Sequence, residues 1–360
     1  MSSQPRLRAL RQLLTEHSMS ALLVSNPLNI TYLSGFTGSS GYLLVTETDA
    51  ILVTDGRYTV QAAEECPDLT VEITRQRGYL EVLKDLIQHH ALSRLAVEGE
   101  DLTVTRINLL EERLGETVGL MVTDQLVSQL RLIKDAEEIS QIKEAIRVAE
   151  EAFLACKPFI RAGVSERTIS VELEYAMRKM GAEKLAFETI VASGPNSAKP
   201  HHTPGKRVLE KGDLVTVDWG AQVDGYCSDL TRTFGIGKVP SKQVEQYNLV
   251  LEAQQRAIAG LKPGVTGQEA DSLARSLFEE HNYAEAFNHS LGHSLGKEVH
   301  DGPGLSASSN ILVLAPGMVM TVEPGLYIEG KGGIRIEDDV LITKNGHEVL
   351  SHLPTAWEVL

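Results

Sequence analysis

Five residues whose types suit metal chemistry lie between positions 218 and 337: Asp218, Asp229, His293, Glu323 and Glu337. The carboxylates sit in apolar, strand-like surroundings. Asp218 ends Leu214-Val215-Thr216-Val217-Asp218, Asp229 lies in Cys227-Ser228-Asp229-Leu230-Thr231-Arg232, Glu323 in Thr321-Val322-Glu323-Pro324-Gly325, and Glu337 in Ile334-Arg335-Ile336-Glu337. A carboxylate among Val, Ile and Leu is expensive to bury unless something positive neutralises it, so several together point to bound cations. Oxygen and imidazole donors without thiolate suit Mn, Co, Zn or Fe. Four negative charges balance two divalent ions. Two metals about 4 Å apart can polarise a carbonyl and activate water, which makes hydrolysis the natural reaction.

The elements that must position these groups are short strands. Asp224-Gly225 is a hairpin signal that folds the Asp218 and Asp229 segments together. Asp224 itself reads as a solvated turn residue. Alternation places Asp229, Thr231 and Thr233 on one face, and Arg335 with Glu337 on another. Pro324 holds Glu323 extended. Three more histidines fall in turn-rich segments: His201 in Pro200-His201-His202-Thr203-Pro204, His289 in Asn288-His289-Ser290, and His300 in Val299-His300-Asp301-Gly302. Taken singly, a loop histidine is more often a surface or hydrogen-bonding residue than a catalyst. The glycine-punctuated run that holds His289, His293 and His300 lets them converge on one pocket.

Four helices are expected in this half. One has Asp135 as N-cap and Glu138 completing a capping box; one follows Ser165, with Glu166 and Glu172 on its polar face; two more span 244–258 and 268–281, with Ser241 and Thr266 as caps. A helix pair followed by a hairpin is a plan that can occur twice. The amino-terminal half alternates differently. Leu7, Leu10, Leu13 and Leu14 mark a helix, apolar runs at 21–24, 42–45 and 51–54 mark strands, and helical and strand patterns then take turns to Val122, which predicts an α/β domain. The Ser34–Gly41 stretch has no Lys-Ser/Thr ending and reads as a strand-connecting loop rather than a phosphate loop. His89-His90 reads as a helix-terminal capping pair. A domain boundary is expected between 134 and 135.

The length of 360 residues accommodates two domains, and 42% hydrophobic with 23% charged residues is ordinary globular composition. A formal net charge of -15 with no basic tract argues against nucleic acid. Three scattered cysteines, Cys66, Cys156 and Cys227, fit a reducing compartment. Neither a signal-peptide pattern nor a membrane-length apolar run is present, so the cytoplasm is the expected location.

Several motifs carry a resemblance. Gly194-Pro195-Asn196-Ser197 with Pro200-His201, Val217-Asp218-Trp219-Gly220, Asp229-Leu230-Thr231-Arg232-Thr233-Phe234, Gly292-His293-Ser294-Leu295-Gly296 with Val299-His300, Glu323-Pro324-Gly325-Leu326-Tyr327 and Ile334-Arg335-Ile336-Glu337 together resemble the prolidase and aminopeptidase P branch of the pita-bread metallopeptidases. Asn26-Pro27, Tyr32-Leu33-Ser34-Gly35-Phe36 and Thr54-Asp55-Gly56-Arg57-Tyr58 resemble the creatinase-like domain that accompanies it. The implied fold is an α/β amino-terminal creatinase-like domain, 1–134, followed by an α+β pita-bread catalytic domain, 135–360. The resemblance implies that Asp218 and Asp229 bind one metal, that Asp229 and Glu337 bridge to the other, and that His293 and Glu323 complete it. It further implies Glu323 as proton shuttle, His201 and His300 as groups on the substrate carbonyl and oxyanion, His289 in a proline pocket, and Tyr327 and Arg335 as substrate-side contacts. Manganese is the first choice of metal, with cobalt or zinc as alternatives, and a homodimer is implied.

The implied reaction is hydrolysis of the Xaa-Pro bond at a peptide amino terminus, with an aminopeptidase placed slightly ahead of a dipeptidase (prolidase). An Xaa-Pro amide nitrogen carries no hydrogen, which gives a dedicated proline pocket its use. A metal-free creatinase-like amidinohydrolase and a non-enzymatic peptide-binding module are both disfavoured by the complete ligand set. A methionine aminopeptidase fits the amino-terminal domain and Pro200-His201 poorly. Ser294 replaces the glycine usual after the ligand histidine, and His202 doubles His201; both bear on substrate preference rather than on the ligands.

Overall fold

Leu7, Leu10 and Leu14 form the buried stripe of a helix, Ser3–Glu16, that packs on a sheet whose four inner strands are buried along nearly their whole length. The computed structural model describes residues 3–115 and 117–360. It divides into two compact units, one ending at Arg131 and the other running from Leu132 to Leu360.

The first unit carries a six-stranded mixed sheet in the order Thr70–Ile73, Ala50–Thr54, Gly41–Thr46, Ala21–Val24, Arg94–Glu98, Gly119–Thr123. Antiparallel pairing joins the three strands from Ala21 to Thr54, and parallel pairing adds the outer ones. Helices Tyr79–His89 and Val104–Leu114 supply Val82, Leu83, Ile87, Leu110 and Leu114 to an apolar cluster with strand residues Leu23, Leu44 and Val53. The Pro27–Ser34 helix carries no clear apolar period. It forms because Asn26 caps the amides of Leu28 and Asn29, Pro27 presets the first turn, and Gly35 ends it at φ 85°. The buried carboxylate of Glu98 accepts from the Ser25 and Asn26 amides and from Asn29, fixing that turn to the sheet.

The second unit repeats one plan. Helices Ala136–Cys156 and Glu166–Lys179 precede strands Ile190–Ser193, Leu214–Trp219 and Leu230–Gly235; helices Ser241–Gly260 and Gly267–Glu280 precede Val319–Val322, Asp338–Thr343 and Gly346–Val349. The first helix starts at the expected Asp135 capping box and buries Ile142, Ala145, Ile146, Ala149, Ala152 and Phe153, a helical stripe. Phe153 stacks on Trp219 at 4.5 Å and on Phe234 at 5.6 Å, and the Trp219 indole donates to the Ala149 carbonyl. Thr266 caps its helix as expected, but Ser241 does not: Pro240 occupies that cap position without a side-chain hydrogen bond, and Ser241 is the first helical residue.

Arg232, 1% exposed, ties the two sets of strands together. Its guanidinium donates to the Asp338 carboxylate at 2.8 Å, to the carbonyls of Leu353 and Pro354, and to that of Glu337. Replacing Arg232 with Met leaves the Asp338 carboxylate buried with Gln254 and Ser351 as its side-chain donors among the described residues. The expected loss is about 3–5 kcal/mol of stability, read from the urea midpoint.

Candidate active site

The hairpin that delivers the first carboxylates turns where the sequence indicates. Asp224 and Gly225 both take positive φ, 49° and 75°, the two-residue turn that matches strand twist. Val223 pairs with Tyr226, and the ladder resumes with Trp219 opposite Leu230 and Asp218 opposite Thr231. Asp229 therefore falls in the break between Tyr226–Cys227 and Leu230–Gly235, where its amide donates to the Asp339 carboxylate at 3.1 Å. Thr231 pairs across to Glu337, and its hydroxyl donates to the Glu337 carboxylate at 2.5 Å. Gly292 is required next to His293: a Cβ there would lie 2.0 Å from the Thr321 carbonyl oxygen.

Asp229, His293 and Glu337 each present a ligand atom within 4.8 Å of the others. The His293 Nε2 is 3.4 Å from Asp229 and 3.5 Å from Glu323. Asp218 lies alongside, held by the Arg335 guanidinium. All of these line one cavity of about 1300 Å³, together with His201, His289, His300 and Arg335. The expected site residues thus come together. Tyr327 stands just behind them, bonded to both His289 and Arg335.

The electrostatics test whether cations fit. Burial raises the pKa of Asp218, with Arg335 opposing. Burial and then the neighbouring acids raise Asp229 and Glu337 well above the ordinary carboxylate range. Glu323 is pushed up to about 7, by burial first and by Asp229 and Asp218, against the pull of His293 and Arg335. One oxygen each of Asp218 and Glu337 is buried with no hydrogen-bond partner among the described residues. The Nδ1 of His293 faces the Ser294 carbonyl at 3.3 Å. A proton there leaves the Nε2 lone pair aimed at carboxylates, the tautomer that a ligand needs. Mutually repelling acids, orphaned oxygens and a lone pair facing anions are a donor set that divalent cations satisfy.

The remaining polar groups form a directed chain. Arg335 donates to the Tyr327 oxygen at 2.8 Å, and Tyr327 Oη lies 3.0 Å from His289 Nε2. The other ring nitrogen of His289 faces the Ser290 carbonyl at 2.7 Å, so Tyr327 is the donor to a neutral imidazole. Burial and then Arg335 lower His289 to about 4, consistent with that neutral form. Burial, His293 and His201 likewise lower His300, whose ring lies 4.1 Å from that of His293. Ser294 is buried and donates to the Pro303 carbonyl at 2.6 Å, so the hydroxyl braces the turn behind the site.

Glu166, expected on the polar face of its helix, is completely buried and collects hydrogen bonds from the loop that carries His201. Asp271 and Arg275 hold the His289 loop through the Leu291 amide and the Phe287 and His289 carbonyls. Asp339, which accepts from the Asp229 amide, belongs to no motif; its one sign in the sequence is the run of acids after Ile336 in an apolar strand.

Metallopeptidase family M24 matches residues 140–344, and the creatinase/prolidase amino-terminal domain matches residues 6–133. The chain belongs to metallopeptidase family M24. Its α/β creatinase-type unit precedes an α+β pita-bread catalytic unit, as the motifs imply. An Xaa-Pro dipeptidase of Pyrococcus furiosus is 39% identical over 347 residues, 96% of this chain and 97% of that one. The structure of an Xaa-Pro dipeptidase from Bacillus anthracis superposes with a TM-score of 0.96 at 40% identity, covering 100% of both chains. An X-Pro aminopeptidase from Thermotoga maritima gives a TM-score of 0.90 at 42% identity over 95% of this chain and 98% of that one.

As a member of this family the chain is a metal-dependent peptidase. Returning Mn to chelator-stripped protein should raise its stability, by about 2.7 kcal/mol when free metal is about a hundred times Kd. Asp229→Asn should abolish most of that gain and lower the metal content. Calorimetry with metal analysis checks both, and an Asp229→Asn protein that still holds its full metal complement would remove Asp229 from the ligand set.

Proposed function

We propose that this peptidase hydrolyses the bond between a first residue and a following proline, with the free Xaa-Pro dipeptide as preferred substrate. The carrying observation is the convergence of Asp229, His293 and Glu337, flanked by Asp218 and Glu323, with three further histidines around one cavity. The sequence motifs placed the aminopeptidase slightly ahead; the dipeptidase names of the Pyrococcus and Bacillus relatives move the balance to dipeptides. Cleavage from longer peptides stays as the second reading, favoured by the Thermotoga relative and by a cavity with room beyond two residues.

In this reading Asp218, Asp229, His293, Glu323 and Glu337 would hold two divalent cations. When bound, such ions would supply the charge that polarises a scissile carbonyl and lowers the pKa of water. Glu323 takes the proton from the attacking water and returns it to the departing proline nitrogen. His201 and His300 face the carbonyl oxygen and stabilise the negative charge that develops there. His289, neutral and fixed by Tyr327, walls the proline ring, with Phe287 at 5.1 Å behind it. Tyr327 and Arg335 hold Asp218 and His289 at fixed separation.

Manganese leads among the metals because the donors are mostly carboxylate oxygens. Three free, buried cysteines suit a reducing cytoplasm. Among the described residues no helix is long and apolar enough to cross a membrane. The homodimer rests on the motif resemblance.

Two measurements test the reading. The Mn-loaded protein should release the first residue from an Xaa-Pro dipeptide faster than from an Xaa-Pro-Yaa tripeptide. Faster tripeptide cleavage would establish the aminopeptidase instead, and cleavage of neither would sink both. Glu323→Gln should retain the fold and lose turnover by more than about a hundredfold; near-normal turnover would exclude the shuttle role.

A further inference from the structure

His201 is an exposed side chain on a loop, and an exposed imidazole has little packing to hold it in one place. It nevertheless lines the same cavity as Asp218, His289 and His300. A group that must meet a developing oxyanion within a fraction of an ångström needs its aim supplied by its neighbours.

The neighbours supply it from both sides. Before it, the Pro200 carbonyl accepts from Arg335 at 3.4 Å. After it, His202 Nε2 lies 2.9 Å from a carboxylate oxygen of Glu166. That oxygen also accepts from the Gly205 amide at 3.1 Å, and its twin accepts from the Ser193 amide and hydroxyl at 2.9 and 2.7 Å and from Asn196 at 3.0 Å. Five donors thus meet one carboxylate that is 0% exposed. Burial alone would raise the pKa of Glu166; these hydrogen bonds outweigh it and hold the group below its ordinary value, so it accepts as an anion. Main-chain bonds reinforce the junction, from the Glu166 amide to Arg207 and from the Arg167 amide to Gly205.

We infer that Glu166 and His202 form a buried clamp that positions His201 for catalysis, the histidine pair dividing into one ring that faces the substrate and one that anchors it. The inference rests on the peptidase function proposed above. Neither residue touches the reacting atoms; both act through His201. A charge-assisted bond from His202 to a fully buried anion is stiffer than a bond to solvent, and it lies one residue from the ring it steers. The second histidine that the sequence adds after His201 therefore has a structural partner, 36 residues earlier in the chain.

The test is a set of variants assayed with Mn-loaded protein on Ala-Pro, with metal content measured throughout. His202→Ala should lower kcat by about 10- to 100-fold, the scale of a small misplacement, with KM changed less than about threefold. His202→Gln keeps a donor and should recover most of the loss. In the His201→Ala background, adding His202→Ala should cost nothing further. Glu166→Gln, which puts donors against donors, should resemble His202→Ala if it folds. Equal losses from His202→Ala with and without His201, or an unchanged kcat, would overturn the clamp.

Hydrogen exchange gives a readout independent of turnover. The 194–205 segment should exchange faster in His202→Ala while the 319–343 strands do not, and unchanged exchange there would overturn the inference by itself. Wild-type protein that cleaves no Xaa-Pro peptide would instead overturn the peptidase reading.

Discussion

The constraint on which this structure turns is electrostatic: the acids Asp218, Asp229, Glu323 and Glu337 crowd into one cavity, with the buried Arg335 cation among them. Burial works against the Arg335 charge, but Tyr327, Asp218, Glu323 and Glu337 outweigh it and raise its pKa further. One guanidinium cannot balance four acids. The surplus negative charge gives the site its affinity for cations, because each divalent ion removes repulsion that the bare protein must carry.

The scaffold answers that constraint by splitting the charges between the two halves of the catalytic unit. Asp218 and Asp229 come from the first set of strands, and Glu323 and Glu337 from the second. They meet where Thr231 pairs with Glu337, and Arg335 reaches back to Thr231 and Asp218 across that seam. Arg232 points away from the site on the neighbouring position and locks the same seam from behind. Alternation along a strand thus sets one residue to the chemistry and the next to the framework.

The histidines show how the same side chain is given different work by its partners. His293 has one nitrogen turned to a carbonyl and the other to carboxylates, as a ligand does. His289 is kept neutral between the Ser290 carbonyl and the Tyr327 hydroxyl. His202 is committed to a buried carboxylate, while His201 beside it is exposed to the cavity. Each anchoring carboxylate sits on a helix: Glu166 on one that packs against the Ile190–Ser193 strand, and Asp271 on one that packs against the Ser241–Gly260 helix.

The sequence by itself determined what depends on local chemistry. Residue types at 218, 229, 293, 323 and 337, the Asp224-Gly225 turn, the Asp135 and Thr266 capping boxes and the apolar period of the long helices are all read within a few residues, because caps, turns and side-chain periodicity are set by neighbours along the chain. Tertiary structure alone decided the partners. Glu166 lies where a polar helix face is expected, yet it is buried because donors 27 to 39 residues later fold over it. Asp218 faces Thr231 rather than Asp229, because Asp229 falls in the gap between paired strands. Arg335 reaches Asp218 across 117 residues of sequence. Whether a charge is solvated, paired or left to a metal is a property of what packs around it, and that packing exists only once the distant strands have met.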